Sequence, residues 1–405
     1  MTLDAAPARL DALAQFRALV MGDAALAYSL SQAGSDGAFA ELARRLAASH
    51  GIDLGADTVR AALAPDPLGL SRYIGGPAGP AAFHFKHWPS RHWLPIKVAA
   101  AGGQWFVDWA HFGATPPTAP FFEDSIRRAL AHPFNRMFRY RMAIGDFADD
   151  AAAAQSLAPA GFIFHMSRCG STLVSQMLAA LPQNIAISEA APIDAVVQLG
   201  RAAQGLTEAP RLLVAMVAAF GRIRSGQERN YFIKLDSWHT LALPLFRRAF
   251  PATPWLFLYR DPVEVLVSHM RQRGAQMVPE FVPPAFYGIE DADGMAAEEY
   301  CARVLNAICN AAADGYGEGG GLLVNYRELP GAMSTEILPH FGVACAAHEH
   351  DIILSTARQD AKAPFNAFAG DSENKQRQAS KAVRIQAERH LGDVYRRLEA
   401  LRLAR

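Results

Sequence analysis

The chain has 405 residues, 51% of them hydrophobic, and its 39 Lys and Arg balance its 39 Asp and Glu. A single hydrophobic core stops growing at roughly 250 to 300 residues, so this length predicts more than one domain. The balanced charge gives no overall attraction to nucleic acid or to an anionic membrane, so neither is an expected partner and any anion site must be local.

The cysteines and the first residues of the sequence predict that the protein is cytoplasmic. Cys169, Cys301, Cys309 and Cys345 have no CxxC or Cys/His finger spacing, which predicts free thiols in a reducing cytoplasm. The opening MTLDAAPARLDALAQF carries acidic residues before any apolar run, unlike a signal peptide. No uninterrupted run of about 18 apolar residues occurs, so no membrane span is expected.

Residues 1–66 are predicted to be a helical module. The apolar residues of two stretches, which begin near Leu13 and Phe39, repeat at helical spacing. These stretches resemble the Nif11-type helical leader domain: a first helix ends at Gly-Asp, the helix sequence FAELA follows, and a Gly-Ile-Asp turn precedes the last helix. The resemblance implies a peptide or protein partner for this module.

Residues 67–145 are predicted to form a β-hairpin and a helix, which completes a small N-terminal α+β module. Two runs, WLPIKVA and QWFVDWA, flank Ala-Gly-Gly as the strands of a hairpin do. The preceding FHFKHWPSRHW alternates as a strand. Its His84 and His87 have ligand-like spacing, but no Cys or carboxylate pattern accompanies them, so strand histidines are favoured over a metal site.

After an alanine-rich and acidic linker at 146–159, residues 160–405 alternate apolar strands with helical stretches. The predicted strands are GFIFHM, IAIS, YFIKL, WLFLY and LLVNY. Strands separated by helices predict an α/β fold with a central parallel β-sheet flanked by helices. Ligands of such sheets bind at the carboxyl ends of the strands, so the residues that follow each strand are the candidates for a site.

The first candidate site follows GFIFHM and contains Arg168, Cys169, Gly170, Ser171 and Thr172. Successive backbone N–H groups at a helix N-terminus form an anion cradle, glycine lets a phosphate approach the main chain, and the hydroxyl groups add donors. A Walker A loop would carry Lys where Ser171 stands. The alternative is an ordinary strand-to-helix turn with a Ser or Thr cap.

The second candidate site begins where WLFLY ends. Arg260-Asp261-Pro262 opens a helix, and Ser268 follows eight residues after Arg260. Helix capping explains Asp261 and Pro262 without a ligand. Arg260 at a strand end and Ser268 on the helix are instead suited to a phosphate, which a guanidinium fork and a hydroxyl bind together.

SRCGST followed by YRDPVEVLVS resembles the paired signature of sulfotransferases that use 3′-phosphoadenosine 5′-phosphosulfate (PAPS), closest to the Golgi, tyrosylprotein and bacterial types. The resemblance covers residues 160–400 and implies a fold like that of P-loop NTPases. It implies that the first loop holds the 5′-phosphosulfate, and that Arg260 and Ser268 hold the 3′-phosphate. It further implies in-line sulfonate transfer to a hydroxyl or phenol acceptor, with no metal.

Within this resemblance, Glu189 matches the catalytic glutamate, which would take the proton of the acceptor hydroxyl. Lys234 in YFIKL matches the family's lysine, and Lys234 and Arg168 would stabilise the charge that develops on the departing phosphate. His239 is an alternative base, although it matches a helix start or an acceptor site better. A solvent-facing strand-end residue is the competing interpretation of Glu189.

Two later segments fit the family loosely. Tyr326 in LLVNYREL would lie near the adenine, and a strand aromatic packed in the core is the competing interpretation. In GDSENKQRQ, Ser372 and Lys375 are candidates for a loop that closes over the nucleotide, whereas a solvated basic helix face would explain the same residues.

Three functions therefore remain open, and the leading one is PAPS-dependent sulfuryl transfer. A P-loop small-molecule kinase would share the sheet and the cradle but would need the loop lysine and a carboxylate for magnesium. A noncatalytic nucleotide-binding or scaffold protein would rely on the N-terminal module. The acceptor, whether small molecule, sugar, lipid or peptide, has no readable signature.

Overall fold

A computed structural model gives the fold of residues 11–64, 83–151, 154–201, 208–358 and 371–404. The chain divides into two compact units, the first within residues 1–116 and 123–154 and the second within residues 117–122 and 155–405. Among the helices described, none combines the length and apolar character that crossing a membrane requires.

The first unit contains short helices and a four-stranded sheet. Its helices are α1 (Ala12–Gly22), α2 (Ala24–Ser31), α3 (Asp36–Ser49), α4 (Ala56–Ala62), α6 (Pro133–Met137) and α7 (Ile144–Asp150), with α5 (Phe122–Ala131) beginning at its boundary. Its strands are β1 (Phe83–His84), β2 (Trp93–Ala101), β3 (Gln104–His111) and β4 (Tyr140–Ala143). The sheet order is β1-β4-β3-β2. Antiparallel pairing of β2 with β3 confirms the predicted hairpin.

The strand predicted over FHFKHWPSRHW is wrong for most of its length. Only Phe83–His84 is extended in a sheet, and turns and bends follow until β2 begins at Trp93. Asp150 stabilises these turns, because its carboxylate accepts the backbone N–H of Trp88 at 2.5 Å and lies 3.1 Å from Nδ1 of the exposed His87. The side chain of His84 lies outside the described part of the chain.

The second unit contains the predicted α/β alternation. Its strands are β5 (Gly161–His165), β6 (Asn184–Ser188), β7 (Asn230–Lys234), β8 (Trp255–Tyr259) and β9 (Gly321–Asn325). Its helices are α8 (Ser171–Ala179), α9 (Ala191–Arg201), α10 (Ala209–Phe220), α11 (Leu243–Ala249), α12 (Pro262–Arg271), α13 (Ala297–Tyr316), α14 (Leu338–His340), α15 (Ala347–Thr356), α16 (Ser372–Gln378) and α17 (Lys381–Leu403). All strand pairs are parallel, in the order β6-β7-β5-β8-β9, which confirms the predicted central sheet.

The sheet forms because its strands are buried on both faces. Every residue of β5 and of β8 is buried, as the nearly continuous apolar runs predict for a parallel sheet covered by helices. The chain starts at the central strand β5, adds β7 and β6 on one side and then β8 and β9 on the other. Strand order therefore reverses between β5 and β8, and ligands bind at the carboxyl ends of strands beside such a reversal.

Gly161 at the start of β5 is required by close packing. A Cβ atom at this position would lie 2.3 Å from the ring of the buried Phe341. We expect Gly161→Ala to lower the free energy of unfolding by about 2 kcal/mol, since overpacking of a core costs that order. Urea denaturation measures the loss. Gly317→Ala is the control, because its nearest atom is 3.7 Å away, and equal effects of the two substitutions would contradict this packing.

Candidate functional site

The carboxyl ends of the parallel strands surround a cavity of about 490 Å³. The predicted residues that line it are Arg168, Cys169, Gly170, Ser171, Thr172, Glu189, Arg260, Ser268, Tyr326 and Lys375. Two predicted residues, Lys234 and Ser372, lie behind this lining and bond to it. The structure thus brings together residues from five strand ends and from α16.

The loop after β5 has an unusual backbone. Ser167, Arg168 and Glu189 are the only non-glycine residues of the described chain with positive φ, at 81°, 52° and 50°. All three line the same cavity. Such conformations cost of order 1 to 3 kcal/mol each and persist where the surrounding structure holds them, commonly at functional sites.

The loop turns into α8 at Gly170, which has φ of 88°. A Cβ atom there would lie 2.8 Å from the ring of Tyr326, so the main chain can pass only as glycine. Ser171 and Thr172 are buried in the first turn of α8, and within the described residues neither hydroxyl has a hydrogen-bond partner. Both hydroxyls border the cavity beside the helix N-terminus, which suits an anion.

Cys169 contributes differently from its neighbours. Its thiol is fully buried and lies 3.1 Å from the carbonyl oxygen of Leu258, to which it donates. Burial raises the pKa of the Cys169 thiol to about 12. The side chain is therefore a packing group, and only the main chain of Cys169 is available to a ligand.

Glu189 and Lys234 form an ion pair at the ends of β6 and β7. Lys234 is fully buried, while 22% of the Glu189 side chain remains exposed to the cavity. Burial alone would raise the pKa of Glu189, but the ammonium of Lys234 and the ring of His165 hold that pKa well below its usual range. The backbone N–H of Glu189 donates to the carbonyl oxygen of Lys234 at 2.8 Å, which fixes the carboxylate at the cavity edge.

His165, the last residue of β5, supports Glu189 from below. Nδ1 of His165 accepts the backbone N–H of Ser167 at 3.0 Å, so the ring proton is on Nε2. Nε2 lies 2.9 Å from the carbonyl oxygen of Leu235 and 3.5 Å from Oε1 of Glu189. Burial lowers the pKa of His165, so this ring is neutral and acts as a donor.

A second polar cluster lies beneath Trp238. Oδ1 of Asp194 accepts from Nε1 of Trp238 at 2.7 Å and from Nε2 of His239 at 2.8 Å, and Asp236 completes a group whose ligand atoms lie within 4.8 Å of one another. Burial, followed by the charge of Glu189, raises the pKa of Asp236 to about 8. Asp236 lines the cavity, whereas His239 is buried with its ring bonded to Asp194.

Arg260 is the centre of a third network. Its Nε donates to Glu264 at 2.5 Å, and its Nη2 donates to Asp371 at 2.6 Å and to Oγ of Ser372 at 3.0 Å. The other carboxylate oxygen of Asp371 lies 2.7 Å from Nζ of Lys375. Two cations and two carboxylates therefore meet at the end of β8.

The remaining predicted residues surround these networks. The guanidinium of Arg260 lies over the ring of Tyr326 at 3.9 Å from its centroid. Nη2 of Arg168 donates to the carbonyl oxygen of Gln272 at 3.0 Å. Ser268 directs its hydroxyl to the helix carbonyl of Glu264 at 3.1 Å, where its oxygen still borders the cavity.

Sequence reasoning missed His165, Asp236, Glu264 and Asp371. His165 and Asp236 carry a usable signal, because each is polar and stands at or just after the carboxyl end of an apolar strand. Asp371 contacts Arg260 across 111 positions of sequence, and no local pattern indicates such a pairing.

Residues 159–344 match the profile of the sulfotransferase family. Over these residues the chain is similar to the sulfotransferase family. The match includes both predicted phosphate loops, Glu189 and Lys234, and it ends before Ser372 and Lys375. It does not include the N-terminal residues that resemble a Nif11-type leader, so that resemblance remains an expectation. A comparison with curated proteins finds no match.

Solved sulfotransferase structures are distantly similar to this one. The sulfotransferase domain of the Synechococcus PCC 7002 olefin synthase is 17% identical with a TM-score of 0.38, and the alignment covers 61% of this chain and 95% of that domain. The sulfotransferase domain from the curacin biosynthetic pathway is 12% identical with a TM-score of 0.38, covering 58% and 98%. Sulfotransferase STF1 from Mycobacterium tuberculosis H37Rv is 13% identical with a TM-score of 0.38, covering 67% and 85%.

Proposed function

We propose that the protein transfers the sulfonate of PAPS to a hydroxyl or phenol acceptor. The observation that carries this proposal is the arrangement around one cavity: an anion cradle and Arg168 on one side, Arg260 and Lys375 on another, and a carboxylate paired with a buried lysine between the strand ends. Sulfuryl transfer needs two anion sites for the nucleotide and a proton acceptor for the hydroxyl.

The nucleotide end of the cavity uses main-chain and hydroxyl donors. The N-terminal turn of α8, with the unpartnered hydroxyls of Ser171 and Thr172, would hold the 5′-phosphosulfate. Arg260, Ser268 and Lys375 would hold the 3′-phosphate, and the exposed part of the Tyr326 ring would contact the adenine. A kinase would need a loop lysine in the place of Ser171, which favours PAPS over ATP.

The catalytic end uses Glu189 and Lys234. An oxygen of Glu189 would take the proton of the acceptor hydroxyl as that hydroxyl's oxygen bonds to sulfur. The bond from sulfur to the bridging oxygen breaks, and the electron pair leaves with 3′-phosphoadenosine 5′-phosphate (PAP). Lys234 would stabilise the charge on that oxygen, while the N–H of His165 keeps Glu189 oriented once the ammonium is shared with the leaving group.

Calorimetry with PAP and with ATP, in the absence of magnesium, tests the donor. We expect PAP to bind and ATP to bind much more weakly, because the 3′-phosphate is recognised by Arg260 and Lys375. Preference for ATP would overturn the proposal. Radiolabelled PAPS offered with phenols, sugars, lipids and peptides then identifies the acceptor by transfer of the label.

Arg168→Ala should weaken PAP and AMP by the same factor, about tenfold, because this cation faces the 5′-phosphate that the two nucleotides share. Fluorescence titration of each nucleotide measures the factor. Arg128→Ala is the matched control, since Arg128 lies on α5, outside the cavity lining. A loss confined to PAP would instead assign Arg168 to the 3′-phosphate.

A further inference from the structure

The network at the end of β8 is already neutral without a ligand. Arg260 and Lys375 carry two positive charges, and the carboxylates of Glu264 and Asp371 carry two negative ones. A phosphate dianion that joined this network as it stands would add two negative charges, and the network has no spare positive charge to balance them. One carboxylate must therefore leave its cations before a 3′-phosphate can bind them well.

Asp371 is the carboxylate in the place that a phosphate would take. It bridges Nη2 of Arg260 at 2.6 Å and Nζ of Lys375 at 2.7 Å, one cation on each oxygen. A phosphate binds Arg and Lys through oxygens in the same way. Glu264 is buried beneath Arg260, with its oxygen also accepting from Ser372 at 3.0 Å, and is not in a position to leave.

We propose that Asp371 is a built-in competitor of the nucleotide's 3′-phosphate, bound to Arg260 and Lys375 until the phosphate displaces it. The proposal rests on the proposed function, since it assigns these two cations to that phosphate. It adds a residue that sets how tightly 3′-phosphorylated nucleotides bind relative to others and how readily PAP leaves after transfer.

The Asp371 carboxylate can move without unfolding α16. Its side chain is 40% exposed and makes no capping hydrogen bond to the helix that it precedes. The helix is attached to α12 by other residues: Nε2 of Gln376 donates to Asp261 at 3.0 Å, and Arg271 donates to Gln378. Rotation of one side chain is therefore enough to uncover both cations.

Displacing Asp371 from Arg260 and Lys375 costs free energy, and only nucleotides with a 3′-phosphate must displace it. A nucleotide without a 3′-phosphate, such as AMP, can occupy the 5′ cradle and leave the Asp371 bridges intact. PAP must break both bridges and replaces them with its own phosphate oxygens. Asp371 thus lowers the affinity for PAP and has no effect on the affinity for AMP, and it favours release of the spent nucleotide.

Asp371→Asn tests the competition, because the amide keeps the shape of the side chain and removes its charge. We expect PAP to bind the variant about tenfold more tightly and AMP to bind it as it binds the wild type. Calorimetry on the full chain measures both affinities. The product-release step should slow in parallel, so that kcat falls in multiple-turnover assays while a single turnover keeps its rate.

Asp314→Asn is the matched control, since Asp314 forms an exposed ion pair with Arg397 and does not line the cavity. Unchanged or weaker binding of PAP to Asp371→Asn overturns the proposal, as does equal tightening of PAP and AMP. If Asp371→Asn, which has no competing carboxylate, still binds AMP and PAP equally, the assignment of a 3′-phosphate site itself fails. If the variant prefers PAP to AMP but no more than the wild type does, only the role of Asp371 is wrong.

Discussion

We expect Glu189→Gln to lower the rate of the proposed sulfuryl transfer by about three orders of magnitude, which is within the contribution of a general base. The amide keeps the shape of the side chain but cannot accept the proton of an acceptor hydroxyl. We expect PAP to bind this variant at least as tightly as it binds the wild type, because Lys234 no longer shares its charge with a carboxylate. Single-turnover transfer from labelled PAPS measures the rate, and calorimetry measures the binding.

Glu388→Gln is the control for this prediction. Glu388 lies on the surface of α17 and pairs with Arg396 in the same unit, so its substitution should leave transfer unchanged. A Glu189→Gln variant that retains more than about a tenth of the wild-type rate would assign the proton to another group. Asp236, which lines the same cavity, would then be the next residue to replace.

We expect Lys234→Met to destabilise the second unit by about 3 to 5 kcal/mol, because it removes the cation that is paired with the partly buried Glu189 carboxylate. We expect transfer to be lost as well. The double variant Glu189→Gln/Lys234→Met should recover most of the free energy of unfolding and none of the activity. Urea denaturation gives the stabilities, and a double variant as unstable as the sum of the single ones would contradict the pairing.

The difference in the free energy of unfolding between the wild type and Lys234→Met should depend on pH in a definite direction. In the wild type Lys234 lowers the pKa of Glu189, so the stabilising contribution is present above the unfolded value of about 4.3 and is lost as the pH falls toward the depressed pKa. In Lys234→Met burial raises that pKa, and protonation at acid pH removes the unpaired charge. The gap in stability between the two proteins therefore narrows as the pH is lowered from 7.

The sheet and its site were predictable where the determinants are local. Short apolar runs mark β5 and β8, and the polar residues at or after their ends mark the edge at which a ligand is expected to bind. The predicted loop from Arg168 and the predicted Arg260 do line one cavity. The order of the strands was not predicted, since an alternating pattern is compatible with several parallel arrangements.

The sequence did not reveal which charged side chains of the site pair with one another. Arg260 was predicted to bind a phosphate and Lys375 to belong to a loop that closes over the nucleotide, yet Glu264 and Asp371 already pair with these two cations. His239 was considered a possible base, but its ring nitrogen Nε2 is bonded to Asp194. The pairs Arg260–Glu264 and Asp371–Lys375 are each four residues apart, a spacing that does carry a local signal. The contacts of Arg260 with Asp371 and of His239 with Asp194 join segments far apart in the chain, so they follow from tertiary packing and leave no such signal.

The order in which the strands follow one another along the chain determines how a bound nucleotide would affect unfolding. The cavity is bounded by the first strand of the sheet, by both of its flanks and by α16 near the other end of the unit. These parts lie between residues 161 and 378, and no short fragment holds all of them, so a bound nucleotide reports that most of the unit has assembled. A bound nucleotide would raise the midpoint of global unfolding, and the unit would unfold in one cooperative step. Partly folded chains would not be stabilised, because they could not bind the nucleotide.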